Sequence, residues 1–148
     1  MSFFAIASLS DASLAQCRGG NLTEGLANAR SSYEASRKAF GEKAGLTGAT
    51  ADALASCLIE VHRFDEASKL LDDIDSKAVA QLAGVPDWSA NIDLARADIA
   101  FRKGDYATAR KDIQPAIPVF SRADAEPYQK RKLQTLLDGI GKHLPTSK

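Results

Sequence analysis

The sequence predicts an all-α fold built as a stack of helical repeats, and three observations carry that prediction. A turn segment recurs at a fixed interval: Gly20, His62 and Gly104 stand 42 residues apart, within Gly19-Gly20-Asn21-Leu22, Val61-His62-Arg63-Phe64 and Lys103-Gly104-Asp105-Tyr106. A constant period of that size marks a supersecondary unit that buries its apolar face by stacking on copies of itself. Aromatics make up only 7% of the chain while Ala is abundant, which suits closely packed helices better than β-branched strands. No stretch shows the two-residue alternation of a strand.

The elements follow in order. Residues 3 to 18 read as a first helix, with Phe3, Ile6, Leu9 and Leu14 among Ala and Ser. Gly19-Gly20 ends it, and Asn21 with Glu24 forms a capping-box-like pair for a second helix from Leu22 to about Phe40. Gly41, Gly45 and Gly48 mark a loop, with Thr47 as cap for a third helix over about Ala49 to Val61. A fourth begins near Phe64, with Ala67, Leu70, Leu71 and Ile74 on one face, and is expected to continue through Val79 and Leu82. Gly84-Val85-Pro86-Asp87 is the next loop, Asp87 capping a helix that runs to Lys103. The sixth helix follows Gly104 and should kink or end at Pro115 and Pro118, since an interior Pro removes a backbone hydrogen bond. After a loop from Ser121 to Glu126, Pro127 opens a last helix with an apolar stripe of Leu133, Leu136, Leu137, Ile140 and Leu144.

Superposing the three units exposes columns of matched size. Two residues past the turn come Leu22, Phe64 and Tyr106, all large; five past come Gly25, Ala67 and Ala109, all small; nine past come Ala29, Leu71 and Ile113. Seven before stand Ser13, Ala55 and Ala97; five before, Ala15, Cys57 and Ile99; three before, Cys17, Ile59 and Phe101. Small residues at matching places on consecutive helices let the axes approach, and the large residue fills the corner between them. Unit one fits least well, with Ser32 where the others carry Ile74 and Ala116. By the same alignment His62 occupies a helix-closing turn, where His tolerates positive φ better than most residues.

Gly104-Asp105-Tyr106-x-x-Ala109 and Arg63-Phe64-Asp65-Glu66-Ala67 resemble the centre of tetratricopeptide repeats, in which a turn Gly, an aromatic and an Ala recur. The longer period, with Glu42-Lys43-x-Gly45 leading into Ala49-Thr50-Ala51-Asp52-x-Leu54, is similar to the kinesin-light-chain type. The likeness covers about residues 6 to 120 plus a terminal helix. It implies one domain over 1–148, a right-handed solenoid of three antiparallel helix pairs at about 6–47, 48–89 and 90–125, and a capping helix at about 126–144. Two departures stand out. His62 replaces the turn Gly, and Asp93 and Arg96 occupy places usually apolar in the family, which implies a shifted register in unit three.

Such arrays bind extended peptides or helices of partners along a concave groove lined by the first helix of each pair, and bacterial signalling kinases and transcriptional regulators often carry them. Transferred by position, the groove consists of Ser10, Leu14, Cys17 and Arg18; Asp52, Ser56, Ile59 and Glu60; and Asn91, Leu94, Asp98, Phe101 and Arg102. Arg18, Glu60 and Arg102 are charged and flank an apolar position each time, which would hold a partner and set its register. The resemblance thus implies a non-enzymatic interaction module of a bacterial signalling or regulatory protein. The alternative is a sensor binding a metabolite in the groove, which calls for a closed, mostly apolar pocket.

Other chemistry is not legible. Nineteen basic and nineteen acidic side chains cancel, so no net field favours nucleic acid or an anionic membrane. No apolar run reaches the length of a membrane span, and no nucleophile–base set, phosphate-cradling Gly loop or metal-spaced His is present, so neither cofactor nor metal is expected. Asp72-Asp73-Ile74-Asp75 lacks the Gly and distal Glu of a calcium loop and reads as a solvated helix face; Lys130-Arg131-Lys132 reads as the wet side of the last helix. Cys17 and Cys57 read as two small buried hydrophobes. The opening Met1-Ser2-Phe3-Phe4-Ala5-Ile6-Ala7 has no basic n-region, and Asp11 interrupts its apolar stretch, so a signal peptide is not expected and the cytoplasm is preferred to the periplasm. Phe3, Phe4, Ile6 and Leu9 would leave an apolar face on the first helix, so that helix is expected to meet an upstream domain or a second copy of the chain.

Overall fold

In the computed structural model, which describes residues 1–145, the backbone enters the left-handed region at each expected turn. φ is 91° at Gly20, 63° at His62 and 80° at Gly104. The amide after each turn residue donates five residues back: Asn21 to the Gln16 carbonyl at 2.9 Å, Arg63 to Leu58 at 2.8 Å, and Asp105 to Ala100 at 2.9 Å. Each turn residue's own amide donates three back, to Cys17, Ile59 and Phe101. This paired closure satisfies carbonyls that a helix end would otherwise leave bare. The same turn is built three times, and His62 adopts it at a conformational cost that the two glycines avoid.

The helices are α1 (Phe3–Arg18), α2 (Leu22–Phe40), α3 (Gly45–Glu60), α4 (Phe64–Asp73), α5 (Ser76–Ala83), α6 (Trp88–Arg102), α7 (Tyr106–Ile113), α8 (Ile117–Phe120) and α9 (Pro127–His143), with a 3₁₀ turn over Gln114–Ala116. Among the described residues no strand forms. The prolines act as expected: α7 gives way to the 3₁₀ turn holding Pro115, and Pro118 sits near the start of α8. Pro127 opens α9, with the Glu126 carboxylate accepting from the Gln129 amide at 2.8 Å.

Four local expectations are corrected. The Asn21 side chain does not accept from the first turn of α2; its Nδ2 donates to Glu24 Oε2 at 3.0 Å instead. α3 starts at Gly45 rather than Ala49, so Gly45 and Gly48 lie inside the helix. A Cβ would fall 2.7 Å from the Ala78 carbonyl oxygen at Gly45 and 2.3 Å from Val79 Cγ2 at Gly48, so both are glycine because α5 passes close by. Thr47 is therefore not a cap: its buried hydroxyl donates to the Gly41 carbonyl at 2.7 Å and meets Ser36 Oγ at 2.9 Å, tying the end of α2 to α3. Finally, α4 does not run on to Leu82. The chain becomes extended at Ile74, and Asp75, expected on a solvated face, caps α5 by accepting from the Lys77 and Ala78 amides at 3.1 and 3.2 Å.

The chain divides into two units, Met1–Trp88 and Ser89–Lys148. In the N-terminal unit α3 is the axis and packs against α1, α2, α4 and α5. Its buried residues, among them Leu46, Leu54, Leu58 and Ile59, lie all round the helix, as expected of one enclosed by neighbours. Against it α1 buries Ile6, Ser10, Ser13 and Cys17, while α2 buries only Gly25, Ala29, Ser32 and Ser36. The small side chains allow close approach. Their hydroxyls bond to the preceding turn, Ser13 to the Ser10 carbonyl at 2.7 Å and Ser32 to that of Ala29 at 3.0 Å. Cys17 and Cys57 are buried as expected but are not separate hydrophobes. They form a disulfide with Cα atoms 5.4 Å apart.

In the C-terminal unit one core gathers Leu94 and Ala97 of α6, Ala109 and Ile113 of α7, Phe120 of α8, and Leu133, Leu136 and Ile140 of α9. The small residues of the repeat columns, Ala97 and Ala109, are both fully buried and belong to this one core.

Candidate functional site

The helices that were to line a groove supply it unevenly. On α1, Leu14 is half-buried and Arg18 exposed, but Ser10 is buried and cannot reach a partner. On α3, Asp52, Ser56 and Glu60 are half-buried, and the Ser56 hydroxyl turns back to the Asp52 carbonyl at 3.0 Å. Cys17 and Ile59 belong to the core.

On α6 the expected groove stripe is covered by α9. Leu94 has no exposed area and belongs to the core of the C-terminal unit. Asn91 Oδ1 accepts from Gln129 Nε2 at 3.0 Å. Asp98, only 3% exposed, meets Arg102 Nε at 2.8 Å and Lys132 Nζ at 3.0 Å. Phe101 lies over Gly139, where a Cβ would come 2.6 Å from the ring, and makes edge contacts with Tyr106 and His143 at 5.4 and 6.3 Å. Tyr106 and His143 stack in parallel at 3.9 Å. Leu94 and Asp98 are therefore buried beneath α9, while Asn91, Phe101 and Arg102 lie half-buried along the seam between α6 and α9. The spacing identified one face of α6; it did not reveal that the last helix lies on it.

α9 also divides the basic run. Lys132 is drawn to Asp98, Lys130 donates to the Arg122 carbonyl at 3.1 Å, and Arg131 is exposed. Lys130 and Arg131 border a cleft of about 420 Å³ whose apolar wall is Phe120 and Leu133.

An open site that the sequence reading missed lies in the N-terminal unit, along α2 and α4. Arg30, Tyr33, Glu34 and Arg37 face Glu66, Lys69 and Asp73 across a cleft of about 350 Å³, floored by Leu54 and Leu70. Arg30 grips Glu66 in a two-pronged ion pair at 2.6 and 3.0 Å. That hydrogen bond is the main reason the Glu66 carboxyl is held below the usual range and the Arg30 guanidinium raised above it. Arg37 bonds Glu42 and Glu34 and lies 5.4 Å from the centre of the Tyr33 ring. Burial pushes the Tyr33 hydroxyl up, against the opposing pull of Arg37. Arg30, Tyr33, Glu34 and Arg37 stand at helical spacing in the sequence, but on the second helix of a pair, whereas the tetratricopeptide resemblance implies a groove on the first. Elsewhere, burial raises the Asp93 carboxyl, opposed by Arg96 and reinforced by Asp112.

Among the described residues no group of three His, Cys, Asp or Glu side chains is placed to hold a metal, and no helix is long and apolar enough to cross a membrane. At the N-terminal end Ile6 is fully buried, which corrects its expected role in an interface. Phe3 is half-buried with its ring 5.9 Å from that of Phe40, and Phe4 is 80% exposed. Comparison of the chain with protein-family models, curated proteins and solved structures returned no match.

Proposed function

We propose that this chain is a tetratricopeptide-like array, a right-handed solenoid of three helix pairs and a capping helix, that serves as a non-enzymatic protein-interaction module. The three identical turns, 42 residues apart, support the repeat architecture. The observation that carries the function is the α2–α4 cleft. It is open, has charges of both signs on its two walls, and has Leu54 and Leu70 at its floor. Apolar contact beneath fixed charges suits an extended peptide or partner helix, whose own charges would set the register. A metabolite sensor calls for a closed apolar pocket, so this cleft favours the peptide reading.

A photo-crosslinking residue at Lys69, on the cleft, and another at Lys111, exposed on α7, would test this in lysate from the native source. Protein adducts at Lys69 and none at Lys111 are expected; equal labelling at both, or none at either, overturns the assignment.

A further inference from the structure

We propose that the Cys17–Cys57 bond is a redox latch on the N-terminal hairpin: oxidised, it pins α1 and α2 to α3; reduced, it lets them go. Apart from the Thr47 contacts with Ser36 and Gly41 and the Arg30–Glu66 pair, the hairpin is held by few large, fully buried apolar side chains. Ile6 is the only large apolar side chain fully buried on α1, and every buried residue of α2 is Gly, Ala or Ser. Hydrophobic attachment scales with the apolar area removed from water, and these faces offer little of it. The bond runs from the last turn of α1 to the central helix α3, closing a separation of 40 residues. A link across that length removes much of the freedom of the unlatched chain.

The surroundings are shaped to the sulfur. A Cβ at Gly25 would lie 2.5 Å from Cys17 Sγ and 3.0 Å from the Cys17 amide nitrogen, so α2 passes over the bridge only as glycine. The Cα separation of 5.4 Å falls in the range that a disulfide spans without moving the backbone. Cys17 is 3% exposed and Cys57 not at all. A reductant therefore reaches the bond only when the hairpin opens locally, which couples redox state to hairpin release.

The exchange balances without a metal. Each thiol gives up a proton, and the pair passes two electrons to a disulfide donor, which leaves as two thiols; a dithiol reductant reverses the step. The latch is closed where such a donor prevails, in an oxidising compartment, in contrast to the cytoplasm preferred from the sequence.

The test uses the full chain, purified without reductant, and combines thiol alkylation with amide hydrogen exchange read by mass spectrometry. Neither cysteine should take up label without reduction. On reduction, exchange across residues 3–40 should accelerate about tenfold or more while residues 89–143 keep their protection. A Cys17→Ala/Cys57→Ala variant should show the reduced pattern and ignore the reductant; the reduced wild type carries the test if the variant does not fold. Labelling of both thiols before reduction, unchanged exchange after it, or equal acceleration in both units would overturn the proposal.

Discussion

Gly104 and Gly25 are glycines for opposite reasons, and substitution separates them. At Gly104 a Cβ meets nothing within 4 Å, but φ is 80°. Gly104→Ala should cost about 1–2 kcal/mol through backbone strain alone. At Gly25 the conformation is helical, and Ala would gain about 1 kcal/mol in helix propensity. The added methyl, however, meets a sulfur held in a disulfide and a backbone nitrogen, neither of which yields easily. Overpacking of that kind costs about 1–3 kcal/mol, so Gly25→Ala is expected to be destabilising on balance. His62 poses the converse case. Its φ of 63° makes His62→Gly stabilising by up to about 1 kcal/mol, reduced by loss of the edge contact with Phe64 at 5.3 Å. Urea unfolding of the three variants checks all three signs.

Between elements, the Arg30–Glu66 pair ties α2 to α4 at the mouth of the cleft. Both side chains are about two-fifths exposed (38% and 41%), so solvent screens the pair and Glu66→Gln should cost under about 1 kcal/mol at neutral pH. The folded carboxyl titrates below its unfolded value. Its stabilisation is therefore present above the unfolded pKa of about 4.3 and is lost as pH falls through the lower folded value. Wild type and Glu66→Gln should converge in stability over that acidic window. Leu94 tests the seam between α6 and α9: Leu94→Ala should cost about 2–5 kcal/mol as a core truncation, whereas a groove residue would cost little. Thermal unfolding followed by circular dichroism distinguishes the two.

At the scale of the whole molecule, balanced charge governs nonspecific association. Nineteen cations against nineteen anions leave no counterion-release drive toward polyanions, and Lys132 and Arg102 are engaged with Asp98. The chain should pass through a heparin column unretained at about 0.15 M salt; retention would point to the exposed Arg131 and its neighbours.

Helix ends and turns were legible because their chemistry is local. Gly20, His62 and Gly104 close helices through their own backbone conformation, and α1 and α2 begin and end at the expected residues. Two misreadings were local, the Asn21 side chain pairing with Glu24 and the break before Asp75, and the others occurred where a distant segment decides the outcome. Gly45 and Gly48 look like loop residues until α5 is seen against them, and Thr47 looks like a cap until Ser36 and Gly41 are beside it. Of the candidate site, the stripe on α6 was readable as one face but not as the face beneath α9.

By itself the sequence determined the class of fold, the positions of the three repeated turns and which residues share each helical face, because periodicity and capping act within a few residues of chain. Only the tertiary structure decided which neighbour covers each face, that Cys17 meets Cys57, and that the open charged cleft lies along α2 and α4. Those outcomes depend on contacts between residues distant in sequence, which no local spacing records.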